Sequence, residues 1–167
     1  IQILQKLVEL KPNDLQINLD LINSISSKIK VISYNGNYED ALKQYSELLH
    51  KIETQEKSFP ENIDLKRNKA SILIRIAYDL SWQNRYDILD EYVEKSLAIY
   101  EPLLVDNPND SRIRRDLYFA YFQSAGIYIE TNTPLARKYI EKSIEISKAT
   151  VENDKVDDVV ADRLARE

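Results

Sequence analysis

The sequence predicts an all-α protein assembled from a repeated helical hairpin, and three observations carry that prediction. First, Pro12-Asn13-Asp14, Pro60-Glu61-Asn62 and Pro108-Asn109-Asp110 recur 48 residues apart, with the residues between them in register. A fixed period of tens of residues means one supersecondary unit stacked several times, each burying the apolar face its neighbour leaves open. Second, a shift of 48 aligns Ile22, Ile25, Ile29 and Ile32 with Ala70, Leu73, Ala77 and Leu80, then with Tyr118, Tyr121, Ala125 and Tyr128. Their spacing of 3, 4 and 3 places each set on one face of a helix. Third, two glycines and five prolines in 167 residues leave little material for β-turns, whereas Leu, Ile, Lys, Glu and Tyr fill the long stretches between them.

Taken in order, residues 1–11 read as the tail of an upstream second helix, because Leu4 stands 48 before Ile52. Repeat 1, 12–59, opens with helix A over about 14–34, preceded by a triplet whose Asp14 can cap free amides, as Asp110 can two repeats later. Helix A stops where a residue can turn left-handed, and the register puts Gly36, Asn84 and Asn132 there, the two residue types that tolerate it. Helix B follows on the stripe Ala41, Tyr45, Leu48, Leu49 and Ile52. Repeat 2, 60–107, carries Leu89, Val93, Ser96, Leu97 and Tyr100 at the same positions. Repeat 3, 108–154, has Ala136, Ile140, Ser143, Ile144 and Ser147 at an offset of 47, so one residue is lost in the turn at 131–134, as loops tolerate and helices do not. Leu164 lies 47 after Leu117, so 155–167 reads as the start of a further helix A. Ile1 in place of an initiator methionine reads as an excised piece.

With 43% apolar and 31% charged residues the chain has the profile of a globular protein able to bury a core. The absence of cysteine excludes disulfides and thiolate metal sites and leaves cytosol and periplasm both open. No apolar run approaches the roughly 18 to 20 residues of a membrane span, so no membrane insertion is expected. A formal charge of −5 argues against broad attraction to nucleic acid, whose phosphates demand a basic face. Chemistry is equally thin. His50 is the lone histidine, on helix B among Leu48, Leu49 and Ile52, and no nucleophile–base pairing is assigned to it. Gly36 and Gly126 are ninety residues apart, which rules out phosphate loops and dinucleotide fingerprints. Asp87, Asp90, Glu91 and Glu94 are interspersed with Arg85 and Lys95 and read as a solvated face rather than an oxygen-ligand cation site. No catalytic residue, metal site or cofactor is therefore assigned.

The segment Asn35-Gly36-Asn37-Tyr38-Glu39-Asp40-Ala41-Leu42-Lys43-Gln44-Tyr45 resembles the turn and second helix of a tetratricopeptide repeat, whose signature there is Ala-x-x-x-aromatic. Ala77 and Ala125 match the small residue that lets the two helices approach, Ser96 and Ser143 a second small site, and Pro12, Pro60 and Pro108 the closing proline. The family period is about 34, and Ile29 and Leu48 replace small residues in repeat 1. The pattern is more similar to the extended tetratricopeptide-like repeats of kinesin light chains and bacterial signalling proteins, where arrays accompany kinase or other effector domains.

This resemblance implies a right-handed superhelix of antiparallel helical hairpins, an α-solenoid that acts as a non-catalytic scaffold for a protein or peptide. It also implies a concave groove lined by helix A residues one step off the packing stripe: Asn23, Ser26 and Lys30, then Ser71, Ile74 and Tyr78, then Phe119, Phe122 and Gly126. Phe119 and Phe122 belong either to that groove or to packing between repeats. A candidate anion-binding patch combines Lys66, Arg67 and Lys69 with Arg112, Arg114 and Arg115, one repeat on and near helix starts, where positive charge opposes the helix dipole. These cations either pair with Asp64, Asp110 and Asp116 or hold an acidic or phosphorylated segment. The alternative is an RNA-binding helical-repeat regulator, with Tyr118, Phe119, Tyr121 and Phe122 as a stacking platform. A per-repeat base code needs one kind of side chain at one place in every unit, and the rows Asn23, Ser71, Phe119 and Ser26, Ile74, Phe122 do not provide it.

Overall fold

A computed structural model describes the backbone of residues 1–164 and the side chains of residues 1–149. Its described residues form seven α-helices and no strand: α1 (Gln2–Leu10), α2 (Leu15–Tyr34), α3 (Tyr38–Ser58), α4 (Ile63–Trp82), α5 (Tyr86–Asp106), α6 (Ser111–Tyr128) and α7 (Thr133–Leu164). The starts of α2, α4 and α6 keep the interval of the proline triplets because the last residue of each triplet is the N-cap. Asp14 accepts from the Ile17 amide at 3.2 Å, Asn62 from the Leu65 amide at 2.9 Å, and Asp110 from the amides of Arg112 and Ile113 at 2.9 and 3.3 Å, which satisfies donors that a helix start leaves orphaned.

The first two A-to-B turns use left-handed residues, Gly36 at φ 82° and Asn84 at φ 55°. Asn132 does not. In the turn shortened by one residue it serves as the N-cap of α7, accepting the Leu135 amide on its side chain at 3.2 Å and the Ala136 amide on its carbonyl at 2.9 Å. A second departure lies downstream, where α7 runs unbroken to Leu164 across the boundary expected at 154–155. There Lys155, 47 after Pro108, stands in place of the triplet proline, so nothing removes a backbone donor or clashes with the preceding turn. The side chain of Leu164, which set the register of 155–167, lies outside the described residues.

The chain divides into two compact units, Ile1–Ile99 and Tyr100–Glu167, with α5 passing from one to the other. In the first unit α2 packs on α3, α3 on α4, and α2 also touches α4. Most of the predicted stripes form its core: Ile22, Ile29, Ala41, Tyr45, Leu48, Ile52, Ala70, Ala77, Leu80, Leu89 and Val93 are buried, whereas Ile25, Ile32 and Leu49 are half-buried. Ser96, fully buried on α5, donates its hydroxyl to the Ala70 carbonyl of α4 at 2.8 Å, so a polar side chain is tolerated there because its hydrogen bond is made. The peripheral α1 packs on α2 but buries no residue completely.

In the second unit α6 packs on α7 through Ile113, Leu117, Ala120, Tyr121, Ser124, Ala125 and Tyr128. Tyr139 stacks on both Tyr121 and Tyr128, at 6.0 and 5.9 Å between centroids. Of the α7 stripe Ala136 and Ser143 are buried, whereas Ile144 and Ser147 are exposed. Tyr121 donates its hydroxyl to Glu101, and Lys142 donates to both at 3.0 Å. Burial drives the Tyr121 pKa up to about 12, reinforced by Glu101. Partial burial also pushes Glu101 upward, but the hydrogen bonds from Tyr121 and Lys142 outweigh it and hold the carboxyl below its ordinary value.

Candidate partner-binding faces

In the first unit the expected groove row is mixed. Asn23 is exposed, Ser26, Lys30, Ser71 and Tyr78 are half-buried, and the Lys30 ammonium lies 5.6 Å from the centroid of the Tyr34 ring. Ile74 is not a surface residue. It is 3% exposed, since α4 is covered on several sides and buries Ile72, Leu73, Ile74 and Ile76 nearly in succession.

An aromatic cluster that the sequence reading passed over adjoins this row. Trp82, 58% exposed at the end of α4, stacks on Tyr38 with rings 6.2 Å apart and 4° from parallel, and meets Tyr78 edge-on at 6.0 Å. A signal was present: Tyr34 and Trp82 are register equivalents, both aromatic and both exposed at a helix A end. Beside Tyr38, an open recess of about 780 Å³ is lined by Gly36, Asn37, Glu39, Asp40 and Lys43.

Among its described residues the second unit presents an exposed apolar stripe. Along α6, Arg115, Phe119, Phe122, Gly126 and Ile129 follow one another at intervals of 4, 3, 4 and 3, which keeps them on one face. Phe119 is 51%, Phe122 50% and Ile129 64% exposed. The Tyr118 ring lies edge-on to Phe119 at 5.2 Å and stacked with Phe122 at 6.2 Å, so the rings brace each other along the surface. Gly126 is exposed between them, and a Cβ there would meet nothing within 4 Å.

The candidate anion patch is largely committed within each unit. Lys66 pairs with Glu61 at 3.0 Å, Arg67 with Asp64 at 2.7 Å and Lys69 with Glu56 at 2.7 Å. Arg112 pairs with Asp110 at 2.9 Å and, more loosely, Arg115 with Asp116 at 3.7 Å. The Arg112 hydrogen bond, with the two capping amides, holds the Asp110 carboxyl down to about 2. Arg114 leaves the patch. It is buried and donates to the Pro108 carbonyl, the bond its register equivalent Asn18 makes to Pro12 at 2.9 Å. Among the described residues no group of three or more His, Cys, Asp or Glu side chains is gathered to hold a metal ion. His50 is exposed, and Glu91, of the acidic run on α5, pairs with Lys95 at 2.6 Å. No helix of the described residues is long and apolar enough to cross a membrane.

The described chain is thus an all-α protein compatible with a helical repeat, bearing exposed aromatic faces. Comparison with protein-family models, with curated proteins and with solved structures finds no match, so a functional reading rests on these faces alone.

Proposed function

We propose that this chain is a non-catalytic protein–protein interaction scaffold, a tetratricopeptide-like right-handed superhelix of helical hairpins that docks a peptide or protein on its helix A faces. One observation carries the reading: Phe119 and Phe122 are half exposed, on a stripe of α6 whose opposite side is buried core. Large apolar side chains grouped on a surface mark an interface. Arg112 and Arg115, both exposed at the N-terminal end of the same helix, bias the partner toward an acidic segment through contacts that add specificity more than affinity. The RNA reading draws less support, since a formal charge of −5 offers no broad basic face to phosphates and the rows Asn23, Ser71, Phe119 and Ser26, Ile74, Phe122 repeat no one kind of side chain.

The test places a photoreactive phenylalanine analogue at position 119 and, as a control on helix B, at exposed position 94. Adducts formed from 119 and lost on Phe122→Ser support the α6 face. Adducts from 94 alone move the site to helix B and discard it.

A further inference from the structure

We propose that the partner seated on the α6 stripe is a second copy of this chain, packed antiparallel through the same helix. The inference rests on the reading of α6 as an interaction face and names its occupant. It starts from Gly126. A glycine inside a helix is destabilising relative to alanine, and its usual justification, a neighbour too close for a side chain, is missing here because a Cβ would touch nothing within 4 Å. Nor is its φ positive. The fold gives no reason for this glycine, so the reason lies outside the described chain.

Two-fold symmetry makes the stripe complementary to itself. An isologous contact requires that whatever residue i meets on residue j, j meets on i. With two antiparallel helices related by a dyad beside Ser124, Phe122 of each copy stands opposite Gly126 of the other, and Phe119 opposite Ile129. A large ring faces a missing side chain twice, and two apolar residues meet at each end. Helix axes about 8 to 10 Å apart have room for that pairing. Charge agrees with the same axis. Arg115, 63% exposed and only loosely paired with Asp116, points toward the turn that follows α6 of the second copy, which carries Glu130. Glu130 is itself exposed. A parallel arrangement would instead set Phe on Phe and Arg115 beside Arg115.

The experiment uses the full chain. Its mass is followed by light scattering across a wide concentration range, for the native sequence, Gly126→Leu and Phe122→Ser. The native chain should rise toward twice the monomer mass. Gly126→Leu should keep its helix content, because the added side chain has space in the monomer, yet stay monomeric because the notch for Phe122 is filled. The chain has no cysteine, so orientation is read by oxidation. Phe119→Cys with Ile129→Cys should form an interchain disulfide. Phe119→Cys alone should not, since two copies of position 119 lie ten residues, about 15 Å, apart along the axis, beyond disulfide reach. Should Phe122→Ser fail to fold, Gly126→Leu still decides. Association that survives Gly126→Leu overturns the proposal. So does a chain monomeric at every concentration: where position 119 still captures other proteins, the second copy is discarded and the interaction face stands, and where it captures nothing, both fall.

Discussion

Asp79 shows most directly how a single side chain is set by its surroundings. It is 1% exposed on α4, its Oδ1 accepts the Ser33 hydroxyl of α2 at 2.6 Å, and its Oδ2 faces no donor among the described residues. Burial pushes its pKa up, against the pull of Ser33 and Arg75. Burial likewise holds the neighbouring Tyr45 near 12, so the phenol stays neutral. A carboxyl whose pKa is raised on folding favours the native state fully below its ordinary value of 3.8, and that contribution is lost as pH rises through the higher folded value. At neutral pH the charge therefore costs stability. Asp79→Asn keeps the acceptor for Ser33 and removes the buried charge, and we expect it to stabilise the protein by roughly 1 kcal/mol at pH 7 with little effect near pH 3. Denaturant midpoints at the two pH values check this. A destabilised variant at pH 7 would show that Arg75 uses the charge.

At the scale of the helix, caps and glycine positions carry the measurable consequences. Asp110 closes the first turn of α6 with two amide bonds and an Arg112 pair. Asp110→Ala should cost about 1 kcal/mol, the usual value of an N-cap. Its carboxyl is held down to about 2, so the contribution of its charge is complete above the ordinary carboxyl value and disappears as pH falls from about 4 through 2. Thermal melts of the native chain and the variant should converge over that window. Gly126→Ala makes the opposite prediction at concentrations where the chain is monomeric, a gain of about 1 kcal/mol, because the helix gains propensity and the added methyl meets nothing within the chain. Where two copies pair, the melting temperature should gain less, since the methyl enters the notch for Phe122, and melts at low and high concentration separate the two.

Across the whole molecule, stability should be local. The outermost helix α1 touches α2 and buries no residue completely, with Ile3 and Leu10 largely exposed. Deleting residues 1–11 should uncover one side of α2 and speed hydrogen exchange there, while amides of α6 and α7 keep their protection, as expected where each element rests on its neighbours. Exchange measured by mass spectrometry on the truncated chain checks it. Equal acceleration in α2 and in α6 and α7 would mean that the hairpins open as one cooperative block.

What the sequence determined alone was whatever is local or periodic: the helical stretches before residue 154, the triplet caps at Asp14, Asn62 and Asp110, the left-handed turns at Gly36 and Asn84, and most of the stripe from Ile22 to Tyr128. Each depends on one residue's backbone preference or on a spacing of three and four, both visible without a partner. Two exceptions at this level, Asn132 as an N-cap and α7 continuing across the boundary at 154–155, came from one lost residue and one missing proline. The candidate site was legible only in part. Phe119 and Phe122 stand exposed, whereas Ile74 went into the core, Arg114 turned inward to Pro108, and Trp82 met Tyr38 and Tyr78. Helical periodicity tells which residues share a face but not what covers it. Cover comes from side chains distant in sequence, and for that reason only the tertiary structure decided which apolar and basic residues remain free to meet a partner.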